Sequence, residues 1–144
     1  MSAMSDYLEN KLVDQLFRGQ SAPTTTTLYV GLLTGAPSDT GGGTEVSGSS
    51  YARASVTSSL ANWSGTQTAG STDASSGTGG QTSNNAAITF PTPTGTWGTV
   101  SHFGIYDAST GGNLLFWGAL TINKTINEAD TVTFPAASLS ITFA

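Results

Sequence analysis

The periodicity of this chain changes once, at Gly19, and that change limits what the chain can fold into. Before it, Leu8, Leu12 and Leu16, then Val13 and Phe17, recur at helical spacing among five charged residues, Asp6, Glu9, Lys11, Asp14 and Arg18. After it, the chain is nearly uncharged Gly, Ser and Thr, threaded with β-branched and aromatic residues in period-two runs. A helix with one apolar stripe on a β chain has to bury that stripe on its own sheet or on a neighbour. Asp6 or Ser5 caps the helix, and Glu9 stands three residues after Asp6 in the capping-box spacing. Gly19 suits the left-handed position past the helix end, and Pro23 bars resumption. The spacing predicts a helix over 6–18, a rod of roughly 20 Å that is marginal alone in water and needs a docking surface. Leu8, Leu12, Val13, Leu16 and Phe17 are therefore the candidate interface of an anchor segment, residues 1–22, and 23–144 form the β domain.

Within that domain, Thr26 to Thr34 and Leu114 to Leu120 are apolar on both faces, the pattern of central strands. Tyr51 to Thr57 alternates, as does Val100 to Tyr106, where His102 is predicted to share a face with Val100 and Gly104. The run DASTGGN, Asp107 to Asn113, reads as a hairpin connection with glycines where φ is positive. Shorter strands are expected at 87–90, 132–134 and 139–143, with Asn127 to Asp130 as a turn. Two stretches resist ordering by burial: the turn-rich run 35–50, anchored by Val46 alone, and 64–85, which has no large apolar side chain. Both are read as long loops. Six to eight short strands with one helix indicate an all-β fold, an antiparallel β-sandwich or jelly-roll-like domain with an N-terminal α-helix.

Composition excludes several function classes. Charged residues make up only 9% of the 144 and the formal net charge is -5, so no basic field exists to hold nucleic acid by counterion release. There is no cysteine, which removes disulfides and thiolate metal ligands. The start MSAMSDYLENKL carries charges where a secretory signal needs an apolar run, and no segment has the roughly 20 apolar residues of a membrane helix. Cytosolic synthesis without membrane insertion is expected. A weakly charged, hydroxyl-rich surface does little to repel copies of itself, so a homo-oligomer is expected too.

No candidate for catalysis survives weighing. His102 is the only histidine, so a Ser-His-Asp arrangement has to use it with Asp107, yet no serine sits in a nucleophile-elbow sequence. A hydrogen-bonded structural imidazole is the reading preferred. Asp39, Glu45, Asp73, Asp107, Glu128 and Asp130 are scattered without calcium-loop spacing, and Gly41-Gly42-Gly43 is followed by no lysine, so neither a metal nor a phosphate cofactor is called for. Trp63, Trp97, Trp117, Tyr29, Tyr51 and Tyr106 are expected mainly as core or inter-subunit anchors, with stacking on a host-surface glycan as the minor reading. Arg53 is the one charge on a core strand. It is expected to pair with Glu45 or Asp39 and pin the 35–50 loop, against the plainer reading of an edge-strand charge.

Two stretches, LYVGLLTGAPSDTGGGTEVSGSSYARASV (28–56) and WGTVSHFGIYDASTGGNLLFWGAL (97–120), together with the helix SDYLENKLVDQLFRG, resemble a family of short tailed-bacteriophage virion proteins, often described as tail-fibre or minor structural proteins. The pattern Pro37, Asp39, Gly43-Thr44-Glu45-Val46, Tyr51-Ala52-Arg53 followed by FGIYD and GGNLLF carries the resemblance, which covers the chain apart from 64–85. It implies a non-enzymatic subunit of a phage particle, assembled in the host cytoplasm, with other virion proteins and sister subunits as partners, by analogy about a threefold axis. A tail-fibre or fibre-attachment module is the leading expectation, a capsid decoration (cement) protein the alternative, and a carbohydrate-binding adhesin head the second alternative.

Overall fold

The computed structural model describes residues 2–143 as ten strands and one helix. In chain order they are β1 (Ser2–Met4), α1 (Asp6–Phe17), β2 (Thr27–Gly35), β3 (Thr44–Glu45), β4 (Ala54–Thr57), β5 (Gln81–Ser83), β6 (Ile88–Thr89), β7 (Gly98–Tyr106), β8 (Leu114–Ile126), β9 (Thr133–Phe134) and β10 (Ser140–Thr142). The fold is all-β with a single helix, and every strand pair is antiparallel. The main sheet runs β1-β8-β7-β2-β3, with β4 also on β2, and two ribbons, β10-β5 and β6-β9, form a second layer. The two strands with apolar residues on both faces, β2 and β8, are interior to the sheet.

One face of the main sheet makes the core. Val30 and Leu32 of β2, Val100, Phe103 and Ile105 of β7 and Phe116 of β8 pack with Ile88, Phe90, Leu139 and Ile141 of the ribbon layer. Phe134 touches both layers, its ring 6.5 Å from Phe103 and 6.1 Å from Phe90, edge-on in each case. Asn84, fully buried, ties the ribbons together: its amide donates to the carbonyls of Ala86 and Pro135 at 2.8 Å, and its oxygen accepts from the Leu139 N–H at 2.9 Å.

Several expectations are corrected. The helix cap is Ser5, whose hydroxyl accepts from the Leu8 N–H at 3.3 Å, so the capping box counted from Asp6 is not the one formed. Ahead of the helix lies β1, too short and too weakly patterned to be read from residues 2–4; it exists because β8 offers a free edge there. Each long loop gives up residues to pairing, Thr44–Glu45 on β2 and Gln81–Ser83 on β10, through backbone hydrogen bonds that composition does not record. The face shared by Val100 and His102 is broken by a register shift between them: Val100 is in the core and His102 is on the other face.

Candidate functional site

Two features are built from the residues singled out by the sequence: the exposed stripe of α1, and a charged cluster around Arg53 on the outer face of the main sheet. The stripe depends on how the helix is seated. The Ser5 N–H donates to Leu115 and the Asp6 N–H to Asp39, both at 2.9 Å, and the Ser5 hydroxyl donates to the Leu114 carbonyl. The start of α1 is thereby held to β8 and to the 35–43 loop. At the other end the Arg18 N–H closes on Asp14, and Gly19 takes the left-handed conformation at φ 66°. Tyr7 and Leu8 pack against the protein's own core, and Leu12 is half-buried. Val13, Leu16 and Phe17 are not covered; Leu16 is 70% exposed and Phe17 81%. The five apolar residues therefore divide into one inner residue, Leu8, one boundary residue, Leu12, and an outward trio.

The Arg53 cluster starts from a gap in the sheet edge. Along β2, pairing with β4 ends at Val30 and pairing with β3 begins at Leu33. The Leu32 N–H, between them, donates instead to the Tyr51 hydroxyl at 2.9 Å, and that hydroxyl donates to Glu45 Oε1 at 2.8 Å. Arg53 grips the same carboxylate with two parallel bonds, Nε to Oε1 at 2.8 Å and Nη2 to Oε2 at 2.7 Å. Its remaining nitrogen, Nη1, donates to the carbonyls of Ala108 at 2.7 Å and Gly111 at 2.9 Å, in the β7-β8 hairpin. One guanidinium thus joins the 35–53 loop, the edge of β2 and a hairpin turn. Asp39, the other partner considered for it, contributes only a backbone carbonyl to the start of α1.

Glycine makes room for this layer. Gly31 and Gly104 are register partners, and a Cβ on either would come within 3.0 Å of Tyr106. The Tyr106 ring lies across them, and the guanidinium of Arg53 stacks on it 3.5 Å from the ring centroid. Burial pushes the Tyr51 hydroxyl far above the ordinary phenol range; the Leu32 amide opposes this and the Glu45 charge adds to it. Tyr106 is raised by burial and by Glu45 against the pull of Arg53. For Arg53, burial works against the charge, but the bonds and attraction of Glu45 outweigh it and raise its pKa. The Glu45 carboxylate, the Arg53 guanidinium and the Tyr51 hydroxyl satisfy one another and the neighbouring backbone. Tyr106 escaped the sequence reading as a member of it; the signal was there in the glycines, which leave a vacancy on the strand face beside an aromatic residue.

The other candidates are placed apart. The His102 Nδ1 lies 2.8 Å from the Ser101 hydroxyl, while both oxygens of Asp107 accept from Asn113, from its N–H and its amide, at 2.7 Å. Trp97 is buried, with its indole N–H donating to Ser49 at 3.0 Å. Asp130 closes its turn by accepting from the Asn127 N–H at 2.8 Å. Among the described residues no group of three His, Asp or Glu side chains is placed to hold a metal ion, and no helix is long and apolar enough to cross a membrane.

A search of curated proteins returns no match. The family model described as Podophage GP4 fiber I protein gp80 matches residues 3–142, which takes in both the α1 stripe and the Arg53 cluster. The chain belongs to that family of short-tailed phage fibre proteins.

Proposed function

We propose that the chain is a non-enzymatic structural subunit of the phage tail, a fibre or fibre-attachment module, in which α1 is the anchor to neighbouring virion protein. The observation that carries this reading is the outward trio Val13, Leu16 and Phe17: a helix pinned at its start, with three large apolar side chains left in water. Such a surface is stable in isolation but costs apolar hydration that a neighbour removes. The Arg53 cluster has the complementary task of fixing the 35–53 loop against the sheet, so that a rigid head is presented beyond the anchor. The same fully paired polar groups favour a structural over a catalytic role.

Incorporation into particles tests the anchor. Leu16→Asp with Phe17→Asp places charges on the stripe without touching the protein's own core, and the double variant is expected to stay folded and to be missing from purified virions. Normal incorporation would remove α1 as the anchor. Copy number per particle tests the location: on the order of a few dozen or fewer fits the tail, and hundreds fit a decoration lattice on the head.

A further inference from the structure

We propose that the stripe of α1 docks in an apolar cleft on a second copy of this chain. The inference rests on the reading of α1 as an assembly element and names the surface it meets. The cleft, about 740 Å³, lies between the second half of β8 and the segments around β9 and β10; Phe103 and Val100 line it together with Leu120, Ile122 and Val132.

It owes its shape to an irregularity in β8. His102 pairs with Ala119 and Val100 with Lys124, so Leu120, Thr121, Ile122 and Asn123 stand opposite Ser101 alone. The surplus residues have no register partner on β7, a bulge that bends the strand, and Ile122 among them is 79% exposed at the rim. Among the described residues no strand pairs with the outer edge of that stretch, since β1 pairs with β8 from Phe116 to Gly118.

Charge selects the occupant. After Gly19 the sequence holds just two cations, Arg53 and Lys124. Arg53 is taken by Glu45, and Lys124 lines the cleft together with Asp130, whose carboxylate accepts from the Asn127 N–H of its own turn; among the described residues no carboxylate forms a salt bridge with Lys124. On α1, Glu9 precedes Val13 by four residues and Leu16 by seven, which places it in line with the stripe, and it too makes no salt bridge among the described residues. A helix that lowers Val13, Leu16 and Phe17 into the cleft carries a carboxylate on the same face toward a waiting ammonium. The chain cannot do this to itself: Ser2, at one end of β1, lines the cleft, whereas α1 leaves from the other end, and its stripe is exposed. Donor and acceptor surfaces differ, so the contact either is exchanged reciprocally in a twofold dimer or runs head-to-tail into a ring or filament.

Sedimentation velocity on the full chain over a concentration series tests this. The wild type is expected to self-associate. Leu16→Asp/Phe17→Asp (donor lost) and Ile122→Asp (acceptor lost) should each weaken association by about a hundredfold, because each buries a charge in an apolar contact. All the mutated side chains are exposed, so far-ultraviolet circular dichroism should be unchanged. A mixture of the two variants retains one intact stripe and one intact cleft, and should form a heterodimer. Glu9→Lys and Lys124→Glu should each weaken association about tenfold, and the two together should restore it. If the donor variant dissociates but the mixture forms no heterodimer and the charge reversals do not rescue, α1 assembles on some other surface: the cleft inference falls and the anchor reading stands. A wild type that is monomeric at every concentration reached overturns the inference, and a stripe variant that also enters virions normally overturns both.

Discussion

Replacing Arg53 by methionine keeps most of its apolar volume and removes the guanidinium, with consequences that can be worked out bond by bond. Four charge-assisted hydrogen bonds disappear, two to Glu45 and two to the hairpin carbonyls, and so does the stack on Tyr106. Glu45 is left with the Tyr51 hydroxyl as its partner. Had the pair been sealed from water, the loss would fall in the range of about 3–5 kcal/mol for a buried charge stripped of its counter-ion. The Arg53 side chain is only 6% exposed, but that of Glu45 is 26% exposed, so water reaches the orphaned carboxylate and the lower end applies, about 3 kcal/mol. Arg53→Lys should lose about 2 kcal/mol, because an ammonium keeps the charge but matches neither the two-pronged grip nor the flat stack. Urea unfolding read by tryptophan fluorescence measures both, with the m-value expected to stay constant, since the same surface is exposed on unfolding. A loss below about 1 kcal/mol for Arg53→Met, the value of an ordinary surface pair, would refute the claim that this residue locks loop, edge and hairpin together.

Two further perturbations probe the same architecture. Tyr51 and Tyr106 hold their protons more tightly folded than unfolded, so above about pH 10 the unfolded chain releases protons that the folded chain keeps, and stability should fall as pH rises through that range. Tyr51→Phe should cost about 1–3 kcal/mol at neutral pH, by leaving the Leu32 N–H without an acceptor, and should flatten that alkaline slope; an unchanged slope in urea titrations from pH 8 to 11 would contradict it. Asn84→Ala strips partners from the Ala86 and Pro135 carbonyls and the Leu139 N–H in the interior, for an expected loss of about 3 kcal/mol or more, and amide exchange should show the β5-β10 pairing opening first.

Local pattern determined a great deal here. The α1 stripe, the two central strands β2 and β8, the glycine hairpin and the all-antiparallel class follow from periodicity and turn chemistry, which act over a few residues and are written in the chain. The residues of the pinning pair, Glu45 and Arg53, are marked by being charges where charges are scarce. Other features were decided only by the assembled fold. β1, β3 and β5 exist because a partner strand offers hydrogen bonds at that spot, and backbone bonding leaves no trace in side-chain composition. His102 sits apart from Val100 because β8 carries surplus residues opposite Ser101, a mismatch between two strands that neither strand shows alone. The division of the α1 stripe has the same origin. Periodicity gives Leu8, Leu12, Val13, Leu16 and Phe17 one common face, but which of them water still touches depends on where β8 and the 35–43 loop hold the start of the helix, a distance set in three dimensions.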